Sequence, residues 1–296
     1  MKKAVVFMKG GFGNQLFQFA FANYLKTNNY KVTLNTDLFR VQGTSTPRGL
    51  TIPINNFGFE EQSIISKQIF KSGMIFESNK KIRSSNLHVL FKDYKYSKDN
   101  EDILNSDAKI LFLNDYWKDM KYIEASKEFM ISSLKKEQII NSGFNKSNDY
   151  AMIHVRRGDF IKDDRHLKIN FYEKGLQIIK KNNSNLKFDI FTDDYDWVSQ
   201  QNIFQDAENI FAQKSGKNDN SEIEGIDGID DKVETITAFS SMLHYKHFLV
   251  GNSSFAFWAA FLKSKEDSTV VVPNPWFRNH PHPILKKNKW YVVENN

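Results

Sequence analysis

The sequence predicts an α/β fold built from two successive halves. Three observations predict it: short apolar runs closed by turn residues, helix-spaced apolar stripes between those runs, and a restart of the alternation near residue 150. Residues 4–8 form an apolar run between lysines and glycines, which predicts a buried parallel strand. Gly10-Gly11-Phe12-Gly13 makes the turn. From Asn14 to Asn28, apolar side chains recur at Leu16, Phe17, Ala20, Phe21, Tyr24 and Leu25, the stripe of an amphipathic helix. Residues 31–35 alternate as a second strand, completing a βαβ unit. Residues 40–58 read as irregular and residues 60–70 as helical. A strand at 108–113 and a helix at 121–134 follow.

Residues 141–149 are polar and contain Gly143, which makes them the expected linker. Beyond them come a strand at 150–155, a helix at 171–181, a strand at 188–192 and a helix from about 194. Residues 213–231 hold six carboxylates from Asp219 to Asp231 with no intervening base, a surface loop by composition and not a calcium loop. A helix at 232–243, a strand at 248–250, a helix at 255–262 and a strand at 269–272 closed by Pro273 and Pro275 complete the second half. The expected domains are residues 1–148, 149–275 and a tail, 276–296, packing back on the fold. Two such halves predict a cleft between them, with ligand at the carboxyl ends of the strands.

Composition narrows the functional classes. The 296 residues are 40% hydrophobic, with 26 phenylalanines, enough for sizeable cores. The net charge of +6 suits an anionic ligand or membrane surface but is too scattered to argue for nucleic acid. With no cysteine, the chain has no disulfide, thiolate metal site or cysteine nucleophile, and a reducing, cytoplasmic setting is expected. The apolar stretch near the start is shorter than a secretory core, and no segment approaches the roughly 20 apolar residues of a membrane span. The seven histidines show no metal spacing; His280 and His282 lie among prolines without a carboxylate. No metal is expected. Gly-x-Ser-x-Gly, the mark of a serine hydrolase, is absent.

The most informative stretch is His154-Val155-Arg156-Arg157-Gly158-Asp159, at the end of a buried strand. Guanidinium groups form fork-shaped bonds to phosphate oxygens, which points to a phosphate or diphosphate. A solvated turn with one Arg–Asp pair is the competing reading. Gly10–Asn14 lies between strand and helix, where free N–H groups favour an anion, and the amides of Asn14 and Gln15 can add donors; a plain tight turn competes. Phe191-Thr192-Asp193-Asp194 ends a strand with two carboxylates able to accept from ribose or a guanine edge, or to cap a helix. Gly251-Asn252-Ser253-Ser254-Phe255 suits phosphate oxygens or, again, a helix cap. Three anion-friendly turns at equivalent strand ends together describe a nucleoside diphosphate site.

This set resembles glycosyltransferase family 11, the α-1,2-fucosyltransferases. Residues 10–20 resemble the family's opening motif, Tyr116-Trp117 with Tyr122 its mid-chain segment (with Asp115 in place of a usual glycine), and residues 154–160 its first shared motif. Phe171-Tyr172, residues 191–194 and residues 247–260 resemble the remaining motifs, with Phe257 in place of a usual tryptophan. The resemblance implies a GT-B-like fold, two Rossmann-like α/β domains facing a cleft, and transfer from GDP-β-L-fucose to a galactoside glycan with inversion and no metal or other cofactor. It implies that Arg156 binds the diphosphate and carries the largest catalytic effect, with Arg157 beside it. Gly11, Gly13 and Asn14 would line the phosphate or fucose side, and His154 with Asp193 or Asp194 would hold guanine or ribose. Ser253, Ser254 and Phe255 would surround the phosphates. Asp159 is the candidate base, or orients Arg157 by a salt bridge, the role the residues favour. The expected location is cytoplasmic, with peripheral membrane contact if the acceptor is lipid-linked.

Overall fold

The computed structural model describes residues 1–41, 49–62, 83–84, 87–93, 109–140, 149–181, 184–212, 230–279 and 284–295. The chain divides into two compact units, Met1–Glu137 and Gln138–Asn296. The expected linker at 141–149 lies outside the described residues except for Asp149, as does the acidic loop up to residue 229.

The first unit opens with β1 (Lys2–Phe7), α1 (Phe12–Thr27) and β2 (Tyr30–Asn35), the expected βαβ unit. A short helix, α2 (Leu38–Val41), and a 3-10 turn, Ile54–Phe57, stand where irregular chain is expected. Glu60–Glu61 form β3, parallel to β2, where the sequence predicts a helix; residues 63–70 of that helix lie outside the described residues. Two glutamates carry a helical propensity, but the open edge of β2 offers them backbone partners, and pairing decides. β4 (Arg83–Ser84), β5 (Leu87–Asp93) and β6 (Ile110–Asn114) complete a six-stranded sheet in the order β3-β2-β1-β6-β5-β4, parallel except for β4. Helices α3 (Met120–Ala125) and α4 (Lys127–Lys136) follow.

Helix α1 departs from the amphipathic expectation, because its polar face is buried too. From Phe12 to Leu25 only Asn14 keeps appreciable exposure. Phe21 stacks on Trp117 at 4.0 Å and Phe19 on Phe57 at 3.8 Å. The polar residues that accompany them are hydrogen-bonded, as burial demands. Asn23 donates to Ser126 Oγ, which in turn donates to the Ala20 carbonyl.

The second unit carries β7 (Tyr150–Val155), α5 (Gly158–Lys162), α6 (Ile169–Lys180), β8 (Lys187–Thr192), α7 (Tyr195–Ser199) and β9 (Asn209–Ala212). These are followed by α8 (Asp230–Met242), β10 (His247–Leu249), α9 (Ser254–Lys263), β11 (Val270–Asn274) and β12 (Tyr291–Glu294). Its sheet has the order β12-β11-β10-β7-β8-β9, with every pairing parallel. This is the doubly wound arrangement, and the order reverses between β7 and β10. Pro273 lies within β11, opposite Val293 of β12 and beyond the two residues, Val270 and Val271, that pair with β10. The tail is therefore an integral strand, with Leu285, Trp290 and Val293 buried.

The face of α6 that meets the sheet carries Phe171, Tyr172, Gly175, Leu176 and Ile179, a one-sided stripe. Helix α9 is buried almost all round, and Phe257, where tryptophan is usual for the family it resembles, packs edge-on against Trp276 and Trp290. That substitution is a packing matter inside the unit.

Candidate active site

In a doubly wound sheet the strand ends diverge at the order reversal, leaving a crevice for ligand. In the second unit that position lies between the carboxyl ends of β7 and β10. β7 ends at Val155 and delivers Arg156 and Arg157 there, β8 delivers Asp193 and Asp194 beside them, and β10 delivers Gly251, Asn252 and Ser253 on the other flank.

The two arginines are held differently. Arg156 is clamped by two carboxylates, one nitrogen 2.6 Å from Asp159 Oδ1 and another 2.9 Å from Asp193 Oδ2. Arg157 turns the other way. Its Nε lies 3.0 Å from Asp194 Oδ2, and its guanidinium carbon sits 3.9 Å from the centre of the Trp197 ring, a cation–π contact. Asp159 thus pairs with Arg156, not with Arg157 as the sequence favours. The reason is local: helix α5 starts at Gly158, which places Asp159 three residues on from Arg156 and on the same side.

Asp193 accepts the Arg157 backbone N–H at 2.8 Å through its other oxygen, so both of its oxygens are in use. Asp194 caps α7, accepting the Trp197 N–H, while Thr192 Oγ1 accepts the Asp194 N–H. The pair thus serves both as a helix cap, through Asp194, and as the arginines' partners. Gly158 is required by proximity: a Cβ there would come 2.5 Å from Asp193 Oδ2. Gly251 is required more strictly, since its Cβ would come 2.6 Å from the His154 carbonyl oxygen.

His154 is buried, and burial together with the Arg156 charge lowers its pKa from 6.5 to about 3. It is a neutral imidazole at physiological pH, and its Nδ1 has no hydrogen-bond partner among the described residues. Asn252, also buried, donates to the Arg165 carbonyl and leaves its Oδ1 without a partner among them. Two buried polar atoms of neutral groups on the strand ends beside the reversal point thus have no hydrogen-bond partner among the described residues. Tyr172 beneath them is fully buried, and burial pushes its hydroxyl well above the ordinary tyrosine range. Ser253 caps α9, its Oγ accepting the Phe255 N–H, and Ser254 and Phe255 form the first turn.

The glycine turn belongs to the other unit. It lies at the corresponding reversal, between β1 and β6. Gly10 has φ of 75°, the left-handed region that favours glycine, and a side chain there would also meet Asn14 and Tyr116. Gly11 precedes α1, and Gly13 and Asn14 lie in its first turn. Gln15 is not a ligand donor: it is fully buried, its amide nitrogen donates to the Gly10 and Gly49 carbonyls, and its oxygen accepts the Thr51 N–H. Gln18 braces the same turn by accepting the Lys9 N–H.

Comparison with known proteins decides the family. Residues 4–294 match the profile described as Glycosyl transferase family 11. The chain belongs to that family. An α-1,2-colitosyltransferase of Escherichia coli is 23% identical over 99% of this chain and 100% of its own length. The O-antigen biosynthesis glycosyltransferase WbnK of Escherichia coli is 23% identical over 96% of this chain and 98% of its own. Among solved structures, the fucosyltransferase NodZ from Bradyrhizobium covers 88% of this chain and 92% of its own at 12% identity and a TM-score of 0.48. The Escherichia coli heptosyltransferase WaaC with ADP covers 99% and 93% at 9% identity and a TM-score of 0.42.

The chain is therefore a glycosyltransferase of family 11, and its site residues can be sorted. Arg156, Arg157, Asp159, Asp193 and Asp194 form one connected network, with His154 and the residues 251–255 at its flank. Two members of the surroundings escaped the sequence reading. Trp197 is the third residue of α7, whose cap is Asp194, and an aromatic just after the paired aspartates was the available signal. Arg165 is drawn in by the turn after α5, and nothing in its local sequence marks it. Among the described residues no helix is long and apolar enough to cross a membrane.

Proposed function

We propose that this enzyme transfers L-fucose from GDP-β-L-fucose to a galactose hydroxyl of a glycan, forming an α-1,2 linkage with inversion and without a metal. The observation that carries this reading is the double carboxylate clamp on Arg156 at the strand-order reversal. A guanidinium fixed before substrate arrives loses little on reorganising, so it can stabilise charge as it develops on the departing GDP. The two carboxylates are not equivalent. Asp193 is 12% exposed and also holds the Arg157 N–H, whereas Asp159 is 40% exposed on a five-residue helix. The diphosphate displaces Asp159 from Arg156, and Asp193 keeps the guanidinium aimed.

The unpaired His154 Nδ1 and Asn252 Oδ1 then complement the nucleotide's polar atoms without adding charge. We assign the donor to the second unit and acceptor recognition to the first, with its glycine turn. A cytoplasmic site of action, with peripheral membrane contact where the acceptor is lipid-linked, is part of the same proposal. GDP-colitose is the second donor to consider, favoured by the full-length match to the colitosyltransferase.

The test is direct. The purified chain is incubated with GDP-fucose or GDP-colitose and a panel of galactosides in the presence of EDTA. Acceptor-dependent GDP release and a product of the fucosylated mass, with the linkage read by NMR, support the proposal. Preference for GDP-colitose moves the donor assignment. Turnover that stops in EDTA and returns with a divalent cation overturns the metal-free mechanism.

A further inference from the structure

We propose that Arg165, and not Arg157, supplies the second guanidinium to the donor diphosphate. The inference rests on the donor reading of the second unit and adds to it the identity of the second cation.

Two phosphates leaving together call for more than one cation, and the sequence offers Arg157 next to Arg156. The structure commits Arg157 elsewhere. Its Nε is paired with Asp194, its face is stacked on Trp197, and its backbone N–H is spent on Asp193. It braces the carboxylates that hold Arg156.

Arg165 is placed over the rings of Phe160 and Phe277, and its charge partner is far more exposed than that of Arg157. Asp164, with φ of 49°, turns the chain after α5, and the Arg165 N–H returns to the Phe160 carbonyl at 2.8 Å. The Arg165 carbonyl accepts the amide of Asn252, which is 1% exposed and follows β10 at the reversal point. This anchors the loop to the site's opposite flank. The guanidinium carbon of Arg165 lies 4.5 Å from the Phe160 ring centre, and that of Arg156 lies 5.5 Å from the same centre. One ring therefore carries both cations.

The charge partner of Arg165 is Asp163, whose side chain is 57% exposed, and such a pair is held weakly against solvent. Its Nε is buried with no hydrogen-bond partner among the described residues. A guanidinium with an orphan N–H, a replaceable partner and a neighbour already assigned to phosphate is poised to take an anion. It is a binding residue, distinct from Arg156 in that it touches no fixed carboxylate.

GDP and GMP binding to the full-length chain, measured by calorimetry, tests the assignment. Arg165→Gln is expected to weaken GDP about tenfold or more, the loss of one charge-assisted contact, while GMP binding changes less than GDP binding. Arg165→Lys keeps the charge without the fork and should fall between. Asp163→Asn removes the competitor and should tighten GDP a few-fold. Undiminished GDP affinity in a folded Arg165→Gln protein overturns the inference. If that variant does not fold, unchanged GDP affinity in Asp163→Asn overturns it instead. A wild-type chain that binds no GDP overturns the donor reading itself, which separates the two failures.

Discussion

The clamp sets the Arg156 guanidinium between two carboxylates, and each of its residues responds differently to substitution. Asp159 is the replaceable arm. It pairs with Arg156, and on the proposed reading the diphosphate displaces it, which leaves it no part as the acceptor's base. Asp159→Asn should therefore leave kcat within about tenfold of the wild type; a fall of 10²–10⁴, typical of a lost general base, would reassign it. His154 yields a pH prediction. The folded chain keeps this imidazole neutral down to about pH 3, whereas the unfolded chain takes up the proton near 6.5. Between those values the unfolded state binds more protons, so the folded state loses stability as the pH falls from 6.5 toward 3. The slope is at most about 1.4 kcal/mol per pH unit, and above pH 6.5 the contribution is flat. Urea unfolding at pH 7 and pH 5 should show the wild type losing about 2 kcal/mol more than His154→Asn over that interval. Equal losses in the two proteins would contradict the buried neutral state.

At the scale of elements, the site exists because parallel strands stop in register and two glycines let their ends close. Gly251 stands against the carbonyl of His154, a backbone atom tied into β7, whereas Gly158 stands against the end of the Asp193 side chain. Alanine at 251 must move strand against strand; alanine at 158 must move one carboxylate. Gly251→Ala is expected to destabilise by about 1–3 kcal/mol, the usual cost of overpacking. Gly158→Ala should cost less stability but more activity, because it pushes Asp193 off Arg156. Thermal unfolding and initial rates on the two variants check this, and a reversed ranking in both would contradict it. The elements themselves were largely legible. Val, Ile and Phe runs between turn residues located β1, β7, β8 and β10, because buried parallel strands need an apolar side chain on both faces. β3 and β12 were not read as strands: two glutamates carry no apolar signature, and the Tyr-Val-Val of β12 is only three residues long and follows a lysine-rich tail. Helix α1 was legible as a helix but not as a buried one: the apolar stripe leaves Gln18 and Asn23 off its face, Gln15 read as a ligand donor, and only tertiary partners turn all three inward.

For the whole molecule, the fold class and the two-unit organisation followed from the repeated βα rhythm, while the division at Glu137 and Gln138 lies earlier than the polar stretch that suggested residue 148. Composition marks polar chain; it does not mark where contacts within a unit end. The motif positions could be read because each sits at a strand's carboxyl end, where the fold needs turn residues and the chemistry needs donors. Which carboxylate pairs with which arginine could not be read, because i,i+3 geometry and a cation–π contact decide it only after folding. The proposed task of Arg156 is to stabilise the negative charge of the departing nucleotide. The rate of acceptor-dependent GDP release from GDP-fucose by Arg156→Met, in EDTA and at saturating substrates, tests that most directly. A fall of about 10²–10³ in kcat with the chain still folded is the predicted result. A rate equal to the wild type would contradict it.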